Sequence, residues 1–148
     1  MKAQLLDRTT SGLRTMVAVF ETGDRVVAGL KELAARERLT AAQLSAIGAC
    51  CEVELAYFDW ERKEYQSHRV TEQVEVASML GDIGVDGEGA PALHIHLVLG
   101  RHDFTAIAGH LREAIVRPTL EVVITETPEH LHRRKDPATG LNLIRLET

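Results

Sequence analysis

Apolar and polar positions alternate with a period of two along most of this chain, and the period changes once. From residue 14 to 21, Met16, Ala18 and Phe20 alternate with Thr15, Val17 and Val19, which predicts a half-buried strand. Gly23 breaks it. From about residue 24 to 38 the spacing becomes three and four. Val26, Val27, Leu30, Leu33 and Ala34 form one stripe, with Arg25, Lys31, Glu32, Arg36 and Glu37 away from it. That pattern predicts an amphipathic helix, with Thr22 or Asp24 available to cap its first turn.

After Leu39 the period returns to two. Strand candidates are 44–47 (ended by Gly48), 51–60, 65–71, 74–83, 93–99, 105–116, 120–125 and a last short stretch at 141–146. Within 51–60, Val53, Leu55 and Tyr57 oppose Glu52, Glu54 and Ala56. A polar cluster at 59–64 reads as a hairpin tip, 84–91 as a loop rich in Gly and acid, and 127–140 as a polar tail. Many short strands with one helix define an α+β domain: a curved, mostly antiparallel β-sheet flanked by one main amphipathic helix. One helix covers only part of such a sheet. The rest must close on itself or pack on another subunit. At 148 residues, without repeats or linkers, the chain is expected to form a single domain over 1–148.

Composition narrows the partners. A hydrophobic fraction of 45% supports a real core and excludes a disordered chain. The formal net charge of -5 counts against duplex DNA as a direct partner, because Lys and Arg neutralising phosphates drive that affinity. Cys50 and Cys51 are adjacent, so on a strand they point to opposite faces and do not pair. They read as reduced thiols of a cytoplasmic protein. Residues 1–7 show no signal-peptide pattern, and nothing approaches the roughly 20 apolar residues of a membrane helix.

The candidate chemistry lies in three of the seven histidines. In the segment 93–99 the odd positions are all apolar, so His94 and His96 share the opposite face with Val98. Two imidazoles spaced two apart on one strand face are placed to chelate one metal ion. A hairpin turn centred on Asp103 sets His96 opposite His110 and Val98 opposite Ala108, with Ile107 and Leu111 joining Ile95 and Leu97 in the core. Small Ala106 and Ala108 then leave room for a pocket. Three neutral imidazoles suit Zn²⁺ or another divalent transition metal. The alternative is a polar sheet face whose imidazoles bond to backbone or water. His102 reads as a turn residue. His130 and His132 flank the basic run Arg133, Arg134 and Lys135, which reads as a solvated face. No phosphate loop, dinucleotide fingerprint, nucleophile elbow or H-E-x-x-H motif occurs.

Taken in order, several segments resemble the plants-and-prokaryotes conserved domain (PPC domain). They are Thr22-Gly23-Asp24, Ala46-Ile47-Gly48-Ala49, residues 74–83, His94-Ile95-His96-Leu97-Val98-Leu99-Gly100, Gly109-His110-Leu111, Glu121-Val122-Val123-Ile124 and residues 134–141. The resemblance implies an antiparallel sheet with a flanking helix, assembled as a homotrimer, and a bound metal at His94, His96 and His110. In plants, similar domains follow AT-hook segments and mediate self-association and contacts with transcription factors; bacterial relatives often carry a provisional DNA-binding label. No Arg-Gly-Arg-Pro core of an AT-hook occurs in this chain, which removes the element that carries minor-groove affinity. With no nucleophile–base pair visible, the first expectation is a non-enzymatic homotrimer that associates with DNA or a DNA-binding protein. The alternative is a metal-dependent enzyme or small-ligand binder built on the three histidines.

Overall fold

The computed structural model describes residues 1–128 and 130–145. Alternation becomes strand wherever one face can be buried. The strands are β1 (Lys2–Arg8), β2 (Arg14–Glu21), β3 (Ala42–Asp59), β4 (Glu64–Val70), β5 (Val74–Val85), β6 (Pro91–Gly100), β7 (Ala106–Glu126), β8 (Arg133–Lys135) and β9 (Asn142–Ile144), with one helix, α1 (Val26–Glu37). Seven strands form one antiparallel sheet in the order β1-β2-β7-β6-β5-β3-β4, and β8 and β9 form a separate hairpin. Strand β7 also pairs with β3, which closes β3, β5, β6 and β7 into a ring. The expected α+β architecture is therefore present, and the sheet does close on itself. None of the described helices is long and apolar enough to cross a membrane.

Three local departures from the sequence pattern have physical causes. The pairs 44–47 with 51–60, and 105–116 with 120–125, are each one long strand. Gly48 does not end β3; it makes a bulge, at which the pairing with β5 shifts from Ala46↔Met79 to Gly48↔Val76. Its φ is 152°, and a Cβ there would lie 2.3 Å from the Thr119 carbonyl oxygen. Across it, β7 passes through a cis Arg117–Pro118 peptide in a stretch without a β3 partner, where the missing Pro118 N–H interrupts no ladder. A further shift between Glu54 and Leu55 leaves Arg112 of β7 as the extra residue, while β3 keeps its alternation: Val53 and Leu55 are in the core, Ala56 lies opposite His110, and Tyr57 beyond them is exposed.

Strand β1 gave no sequence signal because it is an edge strand that buries almost nothing; only Ala3 packs against the core. Helix α1 starts without a side-chain cap from Thr22 or Asp24. The Asp24 carboxylate instead accepts the Glu21 N–H at 2.8 Å, and the Thr22 hydroxyl donates to the Pro118 carbonyl at 3.2 Å. The free Val27 N–H donates to Glu113 Oε1 of β7 at 2.8 Å, so the sheet caps the helix. Val26, Leu30, Leu33 and Ala34 are buried with Phe20, Leu44, Ile95 and Leu97 in one core.

The other face of the sheet is not covered by α1. Cross-strand partners Val17, Val123, Ser45, Leu80 and His96 run across it in one row. Ile47 and Leu80 on this face are more than half exposed.

Candidate metal centre

Along β6, Ile95, Leu97 and Leu99 are buried, and His94, His96 and Val98 point the other way. The β6–β7 pairing places His96 opposite His110 and Val98 opposite Ala108, the register that keeps both apolar stripes in the core. The three imidazoles converge. Ring centroids are 5.0 Å apart for His94–His96, 5.4 Å for His94–His110 and 5.6 Å for His96–His110. One ring nitrogen from each lies within 4.8 Å of the others. The Nε2 atoms of His94 and His96 are 3.2 Å apart. A tetrahedral centre with Zn–N bonds of about 2.0–2.1 Å has an edge of about 3.3 Å, so this pair fits without rearrangement.

Electrostatics favour the neutral, ligating form of the rings. Burial lowers the His94 pKa below the ordinary histidine value, helped by nearby Arg133 and His96. Burial, with His94, Arg112, His96 and Arg133, pushes His110 down to about 4. His110 Nδ1 is buried without a hydrogen-bond partner among the described residues. An unsatisfied buried polar atom costs about 1–3 kcal/mol. Coordination or a bound water would remove that cost, and the donor set is the one a divalent transition metal prefers.

The rings are held from behind. Tyr65 of β4 lies 5.1 Å from His110, Phe58 packs edge-on against Tyr65 at 5.2 Å, and the Arg112 guanidinium sits 4.3 Å from the Tyr65 ring centre. Across β5–β6, His94 is paired with Asp82, whose carboxylate receives both bonds of Arg133 Nη2, at 2.7 and 2.8 Å. Arg133 also donates from Nη1 to the Asn142 carbonyl at 3.0 Å, which ties the β8–β9 hairpin beside the site. Next to Asp82, Gly81 allows close approach of β5 and β6; a Cβ there would fall 2.4 Å from the His94 carbonyl oxygen.

The cluster stands where the sheet forks. Pairing of β6 with β7 runs from Gly100↔Ala106 to His96↔His110 and stops. Beyond that point β6 stays with β5, through His94↔Asp82, while β7 stays with β3, through Leu111↔Leu55. A cavity of about 490 Å³ fills the gap, walled by Leu93, His94 and Ile95 on one side and His110, Leu111 and Arg112 on the other. Ala106 and Ala108 do not line it; they lie along the closed part of the hairpin, so the space comes from strand divergence rather than from small side chains.

The remaining histidines stay apart from this cluster. His68 is exposed on β4, and His102 sits on the β6–β7 turn, 3.6 Å from Glu72. His130 and His132 stack on each other at 5.7 Å. The basic run is not a uniform solvated face, since Arg133 is only 5% exposed and is paired with Asp82. Sequence reading missed Asp82, Tyr65 and Arg112 as neighbours of the cluster. Asp82 carried a faint signal, two positions from Leu80 on the outward face of β5; the others carried none.

A ring-closed antiparallel sheet with one helix and a three-histidine cluster at a fork is thus the class of molecule described. The sequence matches the Plants and Prokaryotes Conserved (PCC) domain over residues 7–128, and the chain belongs to that family. Among solved structures, a "putative DNA-binding protein" from Bacteroides thetaiotaomicron is 26% identical, with 97% of this chain and 96% of that chain covered and a TM-score of 0.87. Another of the same description, from Ralstonia eutropha, is 29% identical, with 97% and 96% covered and a TM-score of 0.83. A metal-containing protein from Archaeoglobus fulgidus is 30% identical, with 89% and 93% covered and a TM-score of 0.81. A search of curated proteins returned no match.

Proposed function

We propose that this PCC-family protein binds a divalent transition metal such as Zn²⁺ through His94, His96 and His110. The observation that carries the proposal is the convergence of three ring nitrogens within 4.8 Å. The orphaned His110 Nδ1 supports it, as does the metal-containing relative from Archaeoglobus fulgidus. Such an ion, held by three protein ligands, keeps a coordination position open for water or a small ligand. Around it the protein supplies a fixed ring geometry, through Tyr65 and the Asp82–Arg133 pair, and a cavity at the fork.

The test is elemental analysis after reconstitution with Zn²⁺ and removal of excess ion. About one metal per chain is expected, and His110→Ala should weaken binding by more than about a hundredfold, since even outer partners of a ligand are worth 10–100-fold. A metal-free protein after reconstitution, or an unchanged affinity in His110→Ala, would refute the reading.

A second reading concerns assembly and DNA. The uncovered outer face, with exposed Ile47, Leu80, Val98 and Val123, supports self-association as a homotrimer. Two relatives described as "putative DNA-binding" support a regulatory module associated with DNA. The net charge of -5 favours contact through a DNA-binding partner protein over direct duplex binding. Sedimentation equilibrium reading a monomer would remove the trimer. Gel retardation of duplex DNA at physiological salt by the protein alone would contradict the indirect mode.

A further inference from the structure

The cavity at the fork has a composition that the three histidines do not explain. Three cationic side chains line it: Lys31 from α1, Arg112 from β7 and Arg133 from β8. The chain as a whole carries net charge -5, so this is a local reversal of sign. Lys31 and Arg112 make no salt bridge among the described residues. Arg133 is buried and satisfied by Asp82 on one side, but its Nε is left without a partner. Among the described residues, Asp86 is the one carboxylate on the lining, and its Oδ1 already accepts the N–H groups of Glu88 and Ala90, both at 2.9 Å. Between the cations the wall is apolar, with Val27, Leu93, Ile95, Leu111 and Leu141.

Positive heads around greasy walls suit an anion with an apolar body. A bare inorganic anion would gain from the cations and nothing from the walls. A neutral apolar molecule would leave the cations facing a desolvated surface. The volume of about 490 Å³ lies within the range of small-molecule sites, about 300–1,000 Å³. His94 and His110 both border the cavity, so a molecule held there lies against the proposed metal ligands.

We infer that the fork cavity binds a small organic carboxylate, its acid group drawn to Arg112 and Lys31 and its apolar body against Leu93 and Leu111. The inference rests on the metal reading only for what the carboxylate meets at its far end, and the test keeps the two apart. Hexanoate serves as probe, with hexanamide as the neutral isostere and inorganic phosphate as the anion without a body. Binding is followed by amide chemical-shift changes in the metal-free protein and, separately, by the visible spectrum of the Co²⁺-loaded protein.

Hexanoate is expected to shift the amides of Leu93 and Leu111 in a saturable way, with hexanamide and phosphate each at least about tenfold weaker. Arg112→Gln and Lys31→Gln, both exposed and expected to fold, should each weaken hexanoate by about tenfold, and Lys31→Gln, which has no part in holding the histidines, should leave Co²⁺ affinity unchanged. Equal binding of hexanoate and hexanamide, or unchanged hexanoate binding in both variants, would overturn the inference. If Co²⁺ binds and hexanoate perturbs neither readout, the carboxylate site fails while the metal centre stands. If hexanoate binds as described and Co²⁺ does not, the metal centre fails and the carboxylate site stands.

Discussion

Two arginine–carboxylate corners hold this fold, and they differ in what they leave unused. At the first, Arg14 on β2 donates from Nε and Nη2 to both oxygens of Glu126 on β7, at 2.9 and 2.7 Å. It also reaches Glu37, through the carboxylate at 3.3 Å and the carbonyl at 2.9 Å, which pins the end of α1 to the sheet. Its nitrogens are all engaged. At the second corner, Arg133 holds Asp82 through Nη2 alone, which donates to both oxygens, while Arg133 Nε stays unsatisfied, and so does His110 Nδ1 nearby. A saturated polar cluster is a fastening. An unsaturated one retains bonding capacity for something else.

This contrast can be broken by mutation. The largest effect on stability is expected from Asp82→Ala, which strands the buried Arg133 charge; a buried pair broken on one side costs about 3–5 kcal/mol. Urea unfolding monitored by circular dichroism measures it, and unchanged stability would show that Asp82 does not hold the hairpin. Zn²⁺ affinity should fall with it, because His94 loses the strand partner whose carboxylate lies beside it. Glu126→Gln is expected to cost less, about 1.5–3 kcal/mol for charge-assisted hydrogen bonds, without any change in metal affinity. A loss of metal binding there would erase the distinction between the two corners.

The smallest effect is a pH dependence confined to the first corner. Hydrogen bonding from Arg14, then the backbone and charge contributions of the same residue, holds the Glu126 carboxyl below its ordinary value despite burial. A depressed carboxyl contributes stability that is fully present above its unfolded pKa of about 4.3 and is lost as pH falls through the folded value. The Tm difference between the parent and Glu126→Gln should therefore be constant at neutral pH and shrink on acidification below about pH 4. A difference that persists at pH 2 would mean that the ionised carboxylate is not what stabilises the corner.

How much of this could be read from sequence depended on whether burial was written in a period. The stripe of α1 and the Ile95–Leu97–Leu99 stripe of β6 are periodic because each buries one face. The same alternation fixed the side of His94 and His96, and register carried it to His110. Where the chain bulges, the period misleads: β7 carries Arg112 as an extra residue opposite the Glu54–Leu55 step, and Gly48 marks a kink inside a strand rather than its end. The Asp82–Arg133 pair spans 51 positions between a sheet strand and a polar tail, a separation over which no local pattern speaks. The cavity was foreseen beside Ala106 and Ala108 and lies instead at the fork, because strand divergence is a property of pairing partners and not of either strand's own composition.

The parting of β6 from β7 leaves each strand one intact neighbour, β5 for the former and β3 for the latter. Opening the mouth therefore sacrifices few backbone hydrogen bonds of the closed ring. Its rim is furnished by the helix and the small terminal hairpin, neither of which belongs to that ring. Ligand preference can thus drift through substitutions at positions such as Lys31 or Leu141 while the chassis beneath keeps its register, so members of one family can share a frame and differ in what they hold.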